Sequence, residues 1–344
     1  MSKGVVLVTG INGFLATYTA LAFLEAGYTV RGSARTAEKV HSWIEHFPAH
    51  KAAYQGVVVG DLAAPGAFDD AVKGCDIIAH VASPNIPNVT DNERDMLIPA
   101  INGTRTLLAA TKLEPRIRRV IFTSTLATVV ETARMETGRL YTTQDWNQGT
   151  YEDAKTSPDA RFVYGVSKTL AERAFFAYIQ DEKPAWAGTA ILPCGVFDPP
   201  IQPLTSLEAL NRSVAFIWDI ARGTHKAGLV LPARHAMYVS ARDVAQAHLR
   251  AAERDAAINQ RYLLIAGTFS LADIAAVIAR HFPALSANLP TSNGTTAPDL
   301  LFDTGKTTRD LGIEYLSFET IIVDTIKSLL ALEEKEKGGG RDVN

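Results

Sequence analysis

The stretch "RFVYGVSKTLAERAFF" sets Tyr164 four residues before Lys168. In a helix those positions share a face, and Val163, Val166 and Leu170 would pack nearby. A phenol so placed can give a proton to a carbonyl oxygen while a nicotinamide gives hydride to the carbon. Free tyrosine ionises at about 10, so base chemistry near neutral pH needs a shift of roughly three units, about 4 kcal/mol. A neighbouring ammonium favours the phenolate, and an oxidised nicotinamide adds a second positive charge. Lys168 could also hydrogen-bond the ribose hydroxyls of such a cofactor. Thr123, Ser124 and Thr125, in "VIFTSTLATV", supply hydroxyls of which one would hold the carbonyl against Tyr164. Tyr-x-x-x-Lys is common, so its meaning depends on a nucleotide site elsewhere in the chain.

That site is expected at "VVLVTGINGFLA". An apolar run breaks into Gly10, Asn12, Gly13, Phe14 and Leu15 at the start of a helical pattern. Gly10 allows a tight turn, Gly13 lets the backbone approach a pyrophosphate, and the helix start offers free N–H groups. The third glycine of the dinucleotide fingerprint is replaced by Ala16; that position serves helix–strand packing, so phosphate binding survives. The next strand ends in "VRGSARTAEK", with Arg31 in the strand, Ser33, Arg35 and Lys39 about its tip and no acid before Glu38. Cations and a hydroxyl suit a 2′-phosphate, which implies NADP(H) over NAD(H). Asp61 and Leu62 are placed for the adenine, with a helix N-cap as the plainer reading of Asp61. Val81, Ala82 and Ser83 leave room for the ribose and nicotinamide, while His80 reads as structural. The histidines show no metal-binding spacing, so no metal is expected.

Elements must position these groups. Apolar runs at Val5–Thr9, Thr29–Ser33, Val57–Val59, Ile77–Val81 and Val120–Ser124 alternate with helical patterns at Tyr18–Glu25, Ala37–Phe47, Gly66–Lys73 and Met96–Lys112. This predicts a doubly wound α/β Rossmann fold with a parallel sheet covered on both faces. Such sheets bind ligands beyond the carboxyl ends of their strands. Thr189–Leu192 reads as a further strand and "FDPPIQPLTS" as an irregular segment. Leu207–Arg222, Leu271–His281 and Phe318–Leu332 read as helices, Tyr262–Ile265 as a strand and Ser286–Pro298 as loop. The expected division is a cofactor domain over 1–193, regained near 237–265, a smaller and mainly C-terminal substrate lobe over 194–332, and a disordered tail over 333–344.

The 344 residues carry a formal charge of -3, with both signs mixed along the chain. No basic stripe could follow a phosphate backbone, so nucleic acid is not an expected partner. No apolar run is long enough to span a bilayer, and the strand-like run from Val5 leaves no room for a secretory leader. Two cysteines, Cys75 and Cys194, in apolar contexts argue for buried thiols in a reducing compartment, hence the cytoplasm. Monomer and homodimer both stay open.

The motifs "VTGINGFLA", "VRGSAR", "GDL", "HVASP", "PAINGT", "FTSTLATV", "YGVSK", "LPCGVFDP" and "YVSARDVAQAH" cover nearly the whole chain in order. Together they resemble the extended short-chain dehydrogenase/reductase family, in its dihydroflavonol reductase-like branch, and fungal NADPH-dependent carbonyl reductases within it. The resemblance implies Tyr164 as acid/base and Lys168 as its partner. Thr125 falls where the branch has its catalytic serine, with Ser124 as the fallback. Arg35 and Lys39 match the 2′-phosphate contacts, Pro193 and Cys194 the lining of the nicotinamide, and Asn102 a mainly structural position. The activity implied is NADPH-dependent reduction of hydrophobic aldehydes or ketones. Phe197, Ile201, Leu204, Phe216, Trp218 and Met237 are candidates for the substrate pocket or plain core. A hydroxysteroid oxidation or sugar-nucleotide epimerisation, the latter using Arg212, Arg222, Arg234 and Arg242, is the first alternative. A non-catalytic cofactor sensor is the second.

Overall fold

A computed structural model describes residues 2–83, 89–131, 135–136, 138–204, 206–227, 237–290 and 300–339. In chain order it has β1 (Val5–Thr9), α1 (Phe14–Glu25), β2 (Thr29–Ala34), α2 (Ala37–His46), β3 (Tyr54–Val58), β4 (Ile77–His80), α3 (Ile98–Ala110) and β5 (Arg119–Thr123). Next come β6 (Leu140–Tyr141), α4 (Tyr151–Thr156), α5 (Ala160–Glu182), β7 (Ala187–Pro193), β8 (Gly195–Phe197), α6 (Arg212–Arg222) and β9 (Met237–Ser240). The rest are α7 (Ala241–Glu253), β10 (Gln260–Leu264), β11 (Gly267–Thr268), α8 (Leu271–His281), β12 (Leu301–Phe302), α9 (Gly305–Leu311) and α10 (Phe318–Gly339).

The main sheet has seven parallel strands in the order β10-β7-β5-β4-β1-β2-β3. Alternation along β1 sorts its side chains to two cores. Val6 and Val8 join Ala20, Phe23, Trp43 and Val244 from α1, α2 and α7, whereas Leu7 joins Leu107, Ala171 and Phe175 from α3 and α5. Both faces are therefore covered by helices, which is why the strands read as unbroken apolar runs. The chain runs from β1 to β2 on one side and to β4 on the other, so the crevice between β1 and β4 lies at the switch point.

A third apolar core unites Val214, Ile217 and Trp218 of α6 with Ile274 and Ile278 of α8 and with Ile322 and Ile326 of α10. A small sheet, β11-β9-β8, links this lobe to the main sheet. Between Asp198 and Ser206 the described residues form no helix or strand, as the prolines predict.

Several boundaries differ from expectation. Gly66–Lys73 forms successive turns and not a helix, with Gly66 and Gly74 at positive φ. Leu207–Ala209 is a short 3-10 turn, and α6 proper begins at Arg212. Residues 333–339, assigned above to a tail, continue α10, where Glu333 pairs with Arg222 and Lys337. One pair lies within the segment, and the other ties it to the end of α6. Pro84, Arg234, the segment 291–298 and the end from 340 lie outside the described residues.

Candidate active site

The glycine turn at the end of β1 is fixed from beneath. Gly10 has φ +73°, and a Cβ there would meet Ala82 Cα at 3.2 Å, so β4 can approach only a glycine. Ile11 is fully buried, and its N–H donates to the Ser33 carbonyl at the end of β2. The Thr17 hydroxyl donates to the Ile11 carbonyl at 3.0 Å and accepts from Trp43 Nε1 at 3.2 Å. Gly13 is exposed and starts α1 with no side-chain cap and no acid in the first turn. The first N–H groups of a helix have no partner within it, so this uncapped start, with Asn12, Phe14 and Leu15 about it, can serve as an anion cradle. Ala16 is buried in the β1 core, where its methyl replaces the third glycine.

At the tip of β2, Ser33 is buried and its Oγ accepts from Gly10 N–H at 3.4 Å. Arg35 and Lys39 are exposed, and neither side chain is engaged in a hydrogen bond or ion pair among the described residues. Arg31 is not part of this group. Its guanidinium donates to Gln55 and to the carbonyls of Ala71 and Lys73. Asp61 lies three residues past the end of β3, where its carboxylate accepts from Ala63 N–H at 2.9 Å. Leu62 lies beside α3, its carbonyl bound by the Thr106 hydroxyl. An uncapped helix start, with the unengaged cations Arg35 and Lys39 about the end of the neighbouring strand, fits a dinucleotide bearing a 2′-phosphate.

The end of β4 is organised by Thr9. Its oxygen accepts from the N–H groups of Val81 and Ala82 at 3.0 and 2.9 Å. The hydroxyl hydrogen therefore goes to His80 Nδ1, 2.9 Å away, which leaves the ring proton on Nε2. Burial, with Lys168 nearby, pushes the His80 ring down to about 3, so it stays neutral. Leu62, His80, Ala82, Ser83, Gly103 and Lys168 line one crevice.

Lys168 enters that crevice from α5. Its Nζ donates to the Thr123 carbonyl at 2.9 Å and stands 4.8 Å from the Phe122 ring centre. Burial pushes the ammonium down to about 8, while Glu172 opposes the shift. Tyr164, one turn earlier on α5, is half-buried. The helix lies against the turn after β5 at Gly165, where a Cβ would meet the Ala127 carbonyl at 3.6 Å and Asn147 Nδ2 at 3.2 Å. The phenol-bearing turn and the hydroxyl-bearing turn are thus neighbours.

The three candidate hydroxyls have different partners. His248 Nδ1 donates to the Val244 carbonyl, so Nε2 must accept, and the Thr123 hydroxyl donates to it at 2.7 Å. The Ser124 hydroxyl is buried and donates to Glu172. Thr125 is only half-buried; its oxygen accepts a long bond, 3.4 Å, from Ala127 N–H. Among the described residues, Thr125 alone of the three has no side-chain partner beyond its own turn.

Pro193 ends β7, opposite Leu264, and the N–H of Cys194 donates to the Leu264 carbonyl. Burial pushes the Cys194 thiol up, which makes it an inert lining group. Asn102 precedes Gly103 on α3, which packs on Leu62. Phe197 and Trp218 belong to the lobe core and Met237 to the core shared with α3 and α5. Ile201, Leu204 and Phe216 are half-buried and remain available as pocket walls. Arg242 is bound to Asp198 and Asp324, and Arg222 to Glu333, so of the described lobe arginines named above only Arg212 is exposed and uncommitted.

Glu172, Arg261 and His248 were not singled out from sequence. Glu172 extends the i, i+4 row of Tyr164 and Lys168 by another step, a signal that was present. Arg261 precedes the strand expected at Tyr262–Ile265 and lies within β10 only because that strand begins at Gln260, so it carried no signal in the sequence. His248 gave no signal beyond lying on the apolar face of α7.

Residues 6–266 match the model of the NAD dependent epimerase/dehydratase family. The chain is 36% identical over 337 residues to a ketoreductase of Aspergillus niger, covering 94% of this chain and 97% of that protein. It is 30% identical over 342 residues to the NADPH-dependent methylglyoxal reductase of Saccharomyces cerevisiae, covering 95% and 98%. The solved structure of yeast methylglyoxal/isovaleraldehyde reductase complexed with NADPH superposes with a TM-score of 0.86 at 28% identity, covering 96% of this chain and 99% of that one.

Proposed function

This chain belongs to the NAD dependent epimerase/dehydratase family, and from that premise we propose that it reduces aldehydes or ketones to alcohols with NADPH. The observation that carries the reading is the buried Lys168 ammonium, tied to the end of β5 and lining a small crevice with His80, Ala82 and Ser83 about the end of β4. The relatives named above, a ketoreductase and an NADPH-dependent methylglyoxal reductase, support the same chemistry.

Bound NADPH would supply the hydride. Gly10, Asn12, Gly13 and the start of α1 would hold its pyrophosphate, and Arg35 with Lys39 its 2′-phosphate. Asp61 and Leu62 would meet the adenine, with Val81, Ala82, Ser83, Pro193 and Cys194 around the nicotinamide end. Thr125 orients the substrate carbonyl, because the Thr123 and Ser124 hydroxyls already have acceptors. Tyr164 gives the proton to the carbonyl oxygen, and the Lys168 charge stabilises the phenolate left behind. The half-buried Ile201, Leu204 and Phe216 favour an apolar substrate. The engaged arginines of the lobe speak against a sugar-nucleotide diphosphate. Among the described residues no helix is long and apolar enough to cross a membrane, and both cysteines are free thiols, which fits a cytoplasmic enzyme.

The test follows NADPH and NADH absorbance with aliphatic, aryl and keto-ester carbonyls. NADPH consumption with at least one class, and much slower use of NADH, is expected. No consumption with any class would overturn the reading.

A further inference from the structure

Beneath the turn that carries Thr125 lies a buried charged pair that the reaction above does not use. Glu172 stands one turn after Lys168 on α5 and is fully buried. One carboxylate oxygen accepts from Arg261 Nε at 2.6 Å, and the other accepts from the Ser124 hydroxyl. Arg261 is 8% exposed on β10, at the edge of the main sheet. Its other N–H groups donate to the carbonyls of Thr143 and Asp145 and to the Thr128 hydroxyl. The guanidinium also lies 3.7 Å from the Trp146 ring centre. Thr128 in turn donates to the Thr125 carbonyl at 2.9 Å. One ion pair thus joins α5, β10, the 143–146 segment and the turn 124–128.

Such a pair is poor evidence of a stabilising role, because desolvating two charges offsets most of their attraction, and apolar side chains could fill the same space. What apolar side chains could not do is bind Ser124 and Thr128 or place a negative charge beside Lys168. We infer that Glu172 is a positioning residue for the reduction: with Arg261 it locks the turn 124–128 against α5, and its charge keeps Lys168 an ammonium. This rests on the reduction proposed above. The groups facing Lys168 are few. Glu172 lies on its own helix with Arg261 behind it, Tyr164 lies one turn before, and β4 presents the neutral His80. Phe122 and the Thr123 carbonyl come from β5, and α3 presents Pro99, Ala100, Gly103 and Thr104. Among the described residues facing Lys168, Glu172 therefore supplies the negative charge. Removing it lowers the proton affinity of lysine and tyrosine alike, so the coupled pair shifts in one direction.

The experiment compares wild type with Glu172→Gln, the charge-neutral Glu172→Gln/Arg261→Gln, and Thr128→Val, which removes only one hydroxyl. Carbonyl reduction is followed against pH, with NADPH affinity by fluorescence and folding by thermal melting. Glu172→Gln should lower kcat about tenfold or more while changing the NADPH Kd less than about threefold, and should move the alkaline limb of kcat down by about one pH unit. The double variant should keep the kcat loss with a smaller shift of the limb, since the unopposed Arg261 charge is gone. Thr128→Val should lower kcat severalfold with the limb in place. If Glu172→Gln does not fold, the double variant and Thr128→Val carry the test. A limb unmoved in the charge variants, with kcat falling only as melting temperature falls, would make the pair structural and overturn the inference. Wild type lacking NADPH-dependent reduction would instead overturn the parent reading.

Discussion

The crevice and the lobe are built by opposite means. Around the crevice, buried polar groups bond to one another: Thr9 to His80, Thr123 to His248, and Glu172 to both Ser124 and Arg261. The lobe packs chiefly through a cluster of apolar side chains; its pairs Arg242–Asp324 and Arg222–Glu333 are partly exposed, while Asp198, which also engages Arg242, is buried where β8 ends. Directional bonds hold a small number of atoms in one geometry, whereas apolar packing tolerates exchange at constant volume. The first suits chemistry that is common to many substrates. The second suits a pocket whose shape can change without disturbing the reacting groups.

The sharpest way to break this contrast is at Lys168. Replacing it with Met should lower kcat by roughly a thousandfold, with NADPH affinity changed far less; a loss confined to KM would move Lys168 out of the chemistry. Thr125→Val should cost about a hundredfold in kcat, and Thr125→Ser should restore most of it. If Val is tolerated, another group holds the carbonyl. Arg35→Glu should weaken NADPH binding by tens of fold and leave NADH nearly unchanged, as read by fluorescence titration. Equal losses for both would mean that the 2′-phosphate is read elsewhere.

The smallest effect concerns stability. Burial holds His80 near about 3 and His248 near about 4, so both rings stay neutral when folded and protonate near 6.5 when unfolded. Their contribution is complete above that value and is lost as pH falls, about 2 kcal/mol each at pH 5. Asp243 works the other way. Burial raises it to about 6, so protonating it stabilises the fold as pH falls and offsets about 1 kcal/mol. Urea unfolding should therefore show a net loss of about 2–3 kcal/mol between pH 7 and pH 5, mostly removed by replacing both histidines with asparagine. A flat profile would show that the rings protonate in place.

The legible parts of this chain were those with a local cause. β1, its glycine turn and the Tyr164–Lys168 row each follow from residues within one or two turns of one another, and the apolar strands follow from burial on both faces. The helix expected at Gly66–Lys73 failed because its apolar spacing does not outweigh turn-forming glycines at positive φ on both sides. The polar pairs were hidden for another reason. Glu172 and Arg261 lie 89 residues apart, and Thr123 and His248 lie 125 apart, so no window of sequence holds both partners. The choice among Thr123, Ser124 and Thr125 depended on those distant partners and could not be made from their own neighbourhood.

The central claim is tested most directly by Tyr164→Phe, assayed for NADPH oxidation with a carbonyl that the wild type reduces, alongside NADPH affinity by fluorescence. The account predicts turnover lower by at least about a hundredfold, with cofactor affinity within about threefold. Turnover equal to wild type would contradict it.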